Sequence, residues 1–254
     1  MSEVLVDNLY NDCKIYLDPS FFIEKWILEK GCWEPHVISY INSFLRPGQT
    51  CLDIGANAGY HTLLLAKIVG DAGQVLAFEP NDLTYKRLLR NMELNPHLAQ
   101  VTRCYKNALG DKPAILRVYQ AGQTGNAYVA ESFKKELWNR GSESDYTECE
   151  VLVLDNLLQG KPIHFLKIDV EGMELEVLRG AKRSIIEHQP VIVYETLLDC
   201  FDRQKIEQVE ILLRELGYEL FGLDPQKPQL FKVTYPRYQP DTLALPPHLA
   251  AQSV

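Results

Sequence analysis

The chain has no uncharged apolar stretch of roughly 18 residues, which excludes a conventional transmembrane helix. It has no C-x-x-C pair, and its six cysteines, at positions 13, 32, 51, 104, 149 and 200, are scattered. That spacing argues against a zinc site or a disulfide framework. It points to reduced thiols in a cytoplasmic protein, several of them small core residues. Positive charge is scarce as well: 26 Lys and Arg against 34 Asp and Glu leave a net charge of -8. A general nucleic-acid surface needs clustered cations, so no nucleic-acid partner is expected. The N-terminus, Met1-Ser-Glu-Val-Leu-Val-Asp7, lacks a basic region before a long apolar run, so neither a signal peptide nor a membrane partner is expected. There is no internal repeat and no low-complexity block.

What is present is the pattern of a sheet-and-helix domain. At 254 residues, 46% hydrophobic and 24% charged, the chain can bury a sizeable core as one α/β domain. Residues 1–49 read as a helical N-terminal segment, because Phe21–Leu28 and His36–Leu45 have helix-like apolar spacing before Arg46-Pro-Gly-Gln49. From residue 50 strand and helix alternate: Cys51–Ile54, Tyr60–Val69, Val75–Phe78, Asp82–Leu94 with Asn81 or Asp82 as N-cap, and Val101–Tyr105. Ala114–Tyr119 and Glu150–Val153 read as strands around an irregular insertion at about 119–149. His164–Val170, Met173–Ile186, Val191–Tyr194 and Lys205–Leu216 restore the alternation, and Tyr218–Phe221 with Leu230–Val233 form a final pair. Short, nearly all-apolar strands in repeated βα units imply a mostly parallel sheet with helices on both faces. The main domain is expected over 50–233. The last thirty residues hold six of the fourteen prolines, so 234–254 reads as a Pro-rich tail in irregular wrapping.

The chemistry centres on Cys51-Leu-Asp-Ile-Gly-Ala-Asn-Ala-Gly-Tyr60, an apolar strand feeding a glycine-bearing turn and then a helix. A second strand, Val75-Leu-Ala-Phe-Glu79, ends in a carboxylate 24 residues after Gly55. A strand, a turn onto a helix N-terminus and a strand-terminal acid describe a nucleoside-cofactor pocket, with the acid accepting ribose hydroxyls. Gly55 and Gly59 suit a backbone that approaches a ligand or adopts positive φ, although a tight turn alone would also use them. Asp53 and Asn57 sit at the mouth of an apolar strand and need partners; Asp53 could equally tie down loop N–H groups. A dinucleotide turn reads G-x-G-x-x-G. Here Asn57 stands in place of the middle glycine and one glycine is missing, which disfavours a nicotinamide-dependent oxidoreductase. A cofactor with a zwitterionic amino-acid end, a ribose and no phosphate fits Asp53, Asn57 and Glu79 better. S-adenosylmethionine has those parts.

Five motifs in order resemble the FkbM-type methyltransferases: Leu52-Asp-Ile-Gly-Ala-Asn-Ala-Gly-Tyr60, Ala77-Phe-Glu-Pro80, Asn107-Ala-Leu-Gly-Asp111, Thr124-Gly-Asn126 and Leu166-Lys-Ile-Asp-Val-Glu-Gly172. The likeness runs from about residue 48 to 196. It implies an α/β, Rossmann-like class I methyltransferase fold with a C-terminal antiparallel strand, and dependence on S-adenosylmethionine. It also implies that Asp53, Gly55, Asn57 and Gly59 line the methionine end, that Glu79 binds ribose, and that Asn107 and Ala108 lie beside adenine. The acceptor class, a hydroxyl on a small molecule or sugar, comes from the same resemblance. His61 departs from the pattern, since the family often has a second aromatic there, and the first 47 residues match no motif.

Lys167-Ile-Asp169-Val-Glu171-Gly is the second centre. Alternation puts Lys167 and Asp169 on one side of a strand. A lysine in an apolar strand needs a counter-charge if buried; Asp169 is the nearest and Glu195 another. Asp53, Glu79, Asp169 and Glu195 all end strands and are expected to face one crevice. Methyl transfer to a hydroxyl requires alignment, desolvation and loss of a proton, for which Asp169 is the first candidate base and Glu195 the second. Asp169 would serve equally as N-cap of the next helix, and Glu171 as a charge favouring that helix's dipole. In the insertion, Thr124 and Asn126 could hold an acceptor hydroxyl or form a turn, while Phe133 and Trp138 could meet a sugar face or the core. No histidine receives a catalytic role and no metal ligand is assigned. The alternative from another class is a cofactor-binding module acting through a partner, against which four intact strand-end acids count.

Overall fold

The computed structural model describes residues 3–120, 127–129, 146–196, 203–223, 230–233 and 241–251. The chain opens with a hairpin of β1 (Val4–Leu9) and β2 (Cys13–Leu17), followed by α1 (Phe22–Lys30) and α2 (Pro35–Phe44). Next come β3 (Thr50–Ile54), α3 (Tyr60–Val69), β4 (Gln74–Phe78), α4 (Asp82–Glu93), α5 (Pro96–Ala99) and β5 (Thr102–Tyr105). The middle holds β6 (Ala108–Leu109), β7 (Ala114–Gln120), β8 (Ala127–Val129), β9 (Tyr146–Leu152) and α6 (Leu154–Leu158). Then follow β10 (Phe165–Ile168), α7 (Glu174–Gly180), α8 (Lys182–His188), β11 (Val191–Glu195) and α9 (Arg203–Glu215). Last are β12 (Glu219–Leu223), β13 (Leu230–Lys232), β14 (Asp241–Leu245) and α10 (Pro247–Ala250).

The central sheet has the order β13-β12-β14-β11-β10-β3-β4-β5. β5, β4, β3, β10 and β11 are parallel neighbours, whereas β14 runs antiparallel between β11 and β12. This is the Rossmann-like class I arrangement with its antiparallel C-terminal strand. Side chains alternate across it. Cys51 packs into the core under α2, α3 and the β1–β2 hairpin, while Leu52 and Ile54 pack into the opposite core with Leu166, Ile168 and Leu178. A smaller sheet, β6-β9-β7-β8, closes a separate core around Val118, Cys149 and Val151.

Three elements differ from the sequence reading. The N-terminal segment is not purely helical: β2 buries Cys13, Ile15 and Leu17, and its backbone donates from Lys14 and Tyr16 to the Asn95 and Asn91 side chains at 2.8 Å. Those asparagines satisfy N–H groups that a lone hairpin edge would leave open. The stretch assigned to irregular wrapping contains β14, whose five residues are all buried. Pro246, directly after its last residue, bounds the strand instead of breaking it. The helix expected over Met173–Ile186 is split at Ala181. There Gly180 lies so close to the Gly110 carbonyl that an added Cβ would sit 2.0 Å from its oxygen.

Candidate active site

Strand order runs outward from β3 through β4 and β5 on one side, and through β10 and β11 on the other. The reversal lies between the carboxyl ends of β3 and β10, where an open parallel sheet leaves a crevice. β3 delivers Asp53 and β10 delivers Lys167, which are partners in register. Asp53 is fully buried, and its Oδ2 accepts a 2.6 Å hydrogen bond from Thr62 Oγ1 on the first turn of α3. Asp53 Oδ1 lies 3.7 Å from Lys167 Nζ, and among the described residues no group donates a hydrogen bond to it. Lys167 Nζ also donates to Asp169 Oδ2 at 3.1 Å and to the Gly55 carbonyl at 3.5 Å. Burial alone would pull the lysine pKa down, but Asp169, Asp53 and Glu34 outweigh it and hold the ammonium well above its ordinary value. Burial raises Asp53 against the opposing pull of Lys167 and Thr62.

The turn after β3 places Gly55 at φ 82 and Gly59 at φ 93, with Asn57 also left-handed at φ 49. Asparagine tolerates that region better than most residues. The backbone N–H groups of Gly55 and Ala56 both donate to the Phe78 carbonyl. Glu79, at the end of β4 and 5% exposed, accepts from Asn57 N through Oε2 and from Asn81 N through Oε1, both at 2.9 Å. Tying down loop N–H groups, considered for Asp53, is therefore what Glu79 does here. Burial lifts Glu79 to about 7 against those two hydrogen bonds, with Asp169 and Asp53 adding to the rise. Beyond β5, Asn107 Nδ2 donates to the Glu150 carbonyl at 3.2 Å and Ala108 N meets Cys149 Sγ at 3.1 Å. Tyr105 stacks on Phe78 beside them, with ring centroids 4.8 Å apart. The donor and acceptor set fits a ligand with an amino-acid end and a ribose. Among the described residues Asp53 Oδ1 is a buried acceptor lacking a hydrogen-bond donor, and each Glu79 oxygen keeps a second lone pair.

Asp169 does not cap the helix that follows. α7 starts at Glu174 behind Met173, with no side-chain capping bond. Glu174 instead folds back to accept from Val170 N at 3.2 Å and Gly172 N at 3.3 Å, and burial lifts its pKa to about 7. Glu195, ending β11, is pushed well above the usual carboxylate range by burial and then by Asp169, Glu171, Glu174 and Asp241. Oxygens of Asp169, Glu171 and Glu195 lie within 4.8 Å of one another. The ammonium of Lys167 lies against Asp169 at this corner, and Lys205 Nζ donates to the Gly172 carbonyl at 3.2 Å. Asp53, Asp169 and Lys167 thus meet, with Glu195 beside Asp169, while Glu79 stands across the glycine turn. Thr124 and Asn126, with Phe133 and Trp138, lie outside the described residues.

A second wall went unread in the sequence. A cleft is lined on one side by Gly55, Asn57, Lys167 and Asp169, and on the other by Ile23 and Trp33 from the N-terminal segment. Glu34, just before α2, holds φ 46 and ψ 59 although Pro35 follows it. A left-handed residue before proline is strained, and such strain clusters at functional sites. Its carboxylate lies 3.7 Å from His61 Nε2. Burial drives the His61 pKa well down, and burial with the charges of Asp241 and Asp169 drives Glu34 well up. His36 Nε2 lies 2.8 Å from Asp241 Oδ2, joining α2 to β14. Burial raises Asp241 despite His36. Only the spacing of Glu34 and His36 around Pro35 was visible in the sequence, and it carries no motif.

The family described as the methyltransferase FkbM domain matches residues 53–220. Methyltransferase sdnD of Sordaria araneosa is 28% identical over 222 residues, which cover 78% of this chain and 83% of that protein. Methyltransferase 1 of Beauveria bassiana (strain ARSEF 2860) is 26% identical over 230 residues, 83% of this chain and 87% of that one. Among solved structures, a protein from Clostridium thermocellum provisionally described as an rRNA-methylase superposes with a TM-score of 0.51 at 12% identity, covering 83% of this chain and 92% of its own; that likeness concerns the fold. The matched span starts at Asp53 and takes in the glycine turn, Glu79 and the Lys167–Asp169 pair. The chain belongs to the FkbM methyltransferase family and is an S-adenosylmethionine-dependent methyltransferase.

Proposed function

We propose that this methyltransferase acts on a hydroxyl of a small molecule or sugar. The observation that carries the reading is the Lys167–Asp169 pair at the switch point, 3.1 Å apart, with Glu195 beside it and the glycine turn behind it. A hydroxyl donates a hydrogen bond, and Asp169 and Glu195 are acceptors suited to orienting one. Lys167 fixes Asp169 so that the geometry does not have to be found anew for each substrate. On the cofactor side Asp53, Gly55, Asn57 and Gly59 take the methionine end, Glu79 the ribose, and Asn107 with Ala108 the adenine. Thr124 and Asn126 keep the role read from the sequence, holding the acceptor hydroxyl. When bound, S-adenosylmethionine supplies a methyl group on a positively charged sulfur. The net charge of -8 disfavours a polynucleotide acceptor, whose phosphates would be repelled.

The test is an acceptor screen with methyl-labelled S-adenosylmethionine over alcohols, phenols, glycosides, amines, thiols and RNA. Label recovered in methyl ethers is the expected outcome. Label found in amines, thiols or RNA alone would reject the hydroxyl reading. Calorimetry with S-adenosylmethionine and S-adenosylhomocysteine separately measures the cofactor side.

A further inference from the structure

His36 is the second residue of α2, three positions after Trp33, which lines the cleft. Asp241 opens β14 and pairs in register with Glu195, the residue that closes β11. The two side chains, 205 positions apart, are only 9% and 8% exposed and meet at 2.8 Å. Among the described residues His36 Nδ1 is buried without a hydrogen-bond partner. A buried ring nitrogen left open is unfavourable unless a ligand answers it. The strained backbone of Glu34 sets the start of this helix, so the helix entrance carries two unfavourable features at once.

The hydroxyl proton needs a destination, and the strand-end carboxylates serve poorly. Asp169 already receives the ammonium of Lys167. Ionisation of Glu195 is opposed by burial and by four neighbouring acids. A neutral base is the better choice in such a corner, because taking the proton gives it a positive charge among carboxylates. Asp241 and His61 are the charged partners of His36; Asp241 in turn interacts with Glu34, Asp169 and Lys167, and lies in register beside Glu195 on the sheet.

We propose that His36, oriented by Asp241, is the general base for the acceptor hydroxyl, with Lys167 and Asp169 positioning that hydroxyl. This rests on the hydroxyl-directed reading above. Nε2–H donates to Asp241, which leaves the lone pair on Nδ1. As the acceptor oxygen bonds to the methyl carbon, the carbon–sulfur bond breaks with its electron pair left on sulfur, and the hydroxyl proton passes to Nδ1. Asp241 holds the imidazolium until the proton is released to water.

The experiment compares wild type, His36→Gln and Asp241→Asn with labelled S-adenosylmethionine, using 4-nitrophenol and 4-nitrophenyl β-glucoside as hydroxyl probes. His36→Gln is expected to lower kcat by about 100-fold or more, with acceptor KM within about threefold and S-adenosylhomocysteine affinity within about twofold of wild type. Turnover by His36→Gln within about threefold of wild type overturns the proposal alone. Hydroxyl probes left unlabelled by wild type, with label entering an amine, would overturn the hydroxyl reading and this proposal together. A second readout needs neither turnover nor a folded variant: long-range ¹⁵N–¹H spectra of the ligand-free wild type. A bare Nδ1 and a protonated Nε2 in His36 are expected, and a protonated Nδ1 overturns the proposal.

Discussion

A Cβ added at Gly55 would sit 1.8 Å from the carbonyl oxygen of Asp169. The Asp169 N–H in turn donates to the Ile54 carbonyl at 2.9 Å, so the end of β10 is pressed onto the glycine turn as one joint. This glycine is required by the protein's own backbone before any ligand is considered. Gly55→Ala adds both a clash with backbone and a side chain at φ 82. It is expected to lose about 3 kcal/mol or more, a fall of roughly 6–12 °C in Tm. Thermal melting followed by circular dichroism measures it; a variant within about 2 °C of wild type would mean the joint yields easily.

Lys167→Met removes the cation between Asp53 and Asp169 while keeping the side chain's bulk. Asp53 is fully buried, so an unpaired charge there should cost about 3–5 kcal/mol at pH 8. The variant's Asp53 has a folded pKa raised above its unfolded value, so it is protonated and harmless at low pH and destabilising as pH rises through that value. Urea unfolding should therefore show a larger deficit at pH 8 than at pH 5. Adding Asp53→Asn should recover much of the loss at pH 8. A deficit equal at both pH values would point to packing as its source.

The glycine turn and the acids around it were legible because their signals are local. Asp53, Gly55, Asn57, Gly59 and Glu79 lie on one β–turn–α–β run, and short-range steric and polar demands fix their identities. Asn81 was readable as a cap for the same reason, and it accepts from Leu83 N and Thr84 N. The corner where α2, β11 and β14 meet was less legible because it is assembled from distant pieces. His36 and Asp241 meet only after the sheet places β14 beside β11, a pairing that no local pattern encodes. Proline spacing pointed the wrong way there, since Pro246 marks the end of a buried strand. The alternation of Cys13, Ile15 and Leu17 was a usable strand signal, but the turn before it uses Tyr10 and Asn11 at positive φ in place of a glycine.

Glu174→Gln should stabilise the protein at alkaline pH. Glu174 uses a single oxygen for both backbone contacts, and the amide oxygen of glutamine can keep them. The folded pKa of about 7 lies above the ordinary 4.5, so the unfolded chain gives up its proton first and stability falls as pH rises from 4.5 to 7. Above that window the loss is constant, on the order of 3 kcal/mol. The variant should gain up to that amount at pH 8 and nothing near pH 4, read from urea unfolding at each pH. An equal gain at both ends would show that charge burial is not the cause.

In the ribose role proposed for it, Glu79 would make cofactor affinity depend on pH through the same chemistry. Ribose hydroxyls donate to a carboxylate more strongly than to a carboxylic acid, and burial sets this group at about 7 in the free protein. Affinity for S-adenosylhomocysteine should rise with pH, by about tenfold between pH 6 and pH 8, and flatten above. Binding near pH 6.5 should release a fraction of a proton, detectable by calorimetry in buffers of different ionisation enthalpy. Glu79→Gln preserves an oxygen for one of the two backbone contacts but removes the charge. It should bind more weakly at pH 8 and show no rise across the window. A pH-independent affinity in wild type, or a Glu79→Gln variant that binds as tightly as wild type at pH 8, would take Glu79 out of the ribose role and leave it holding the loop through Asn57 and Asn81.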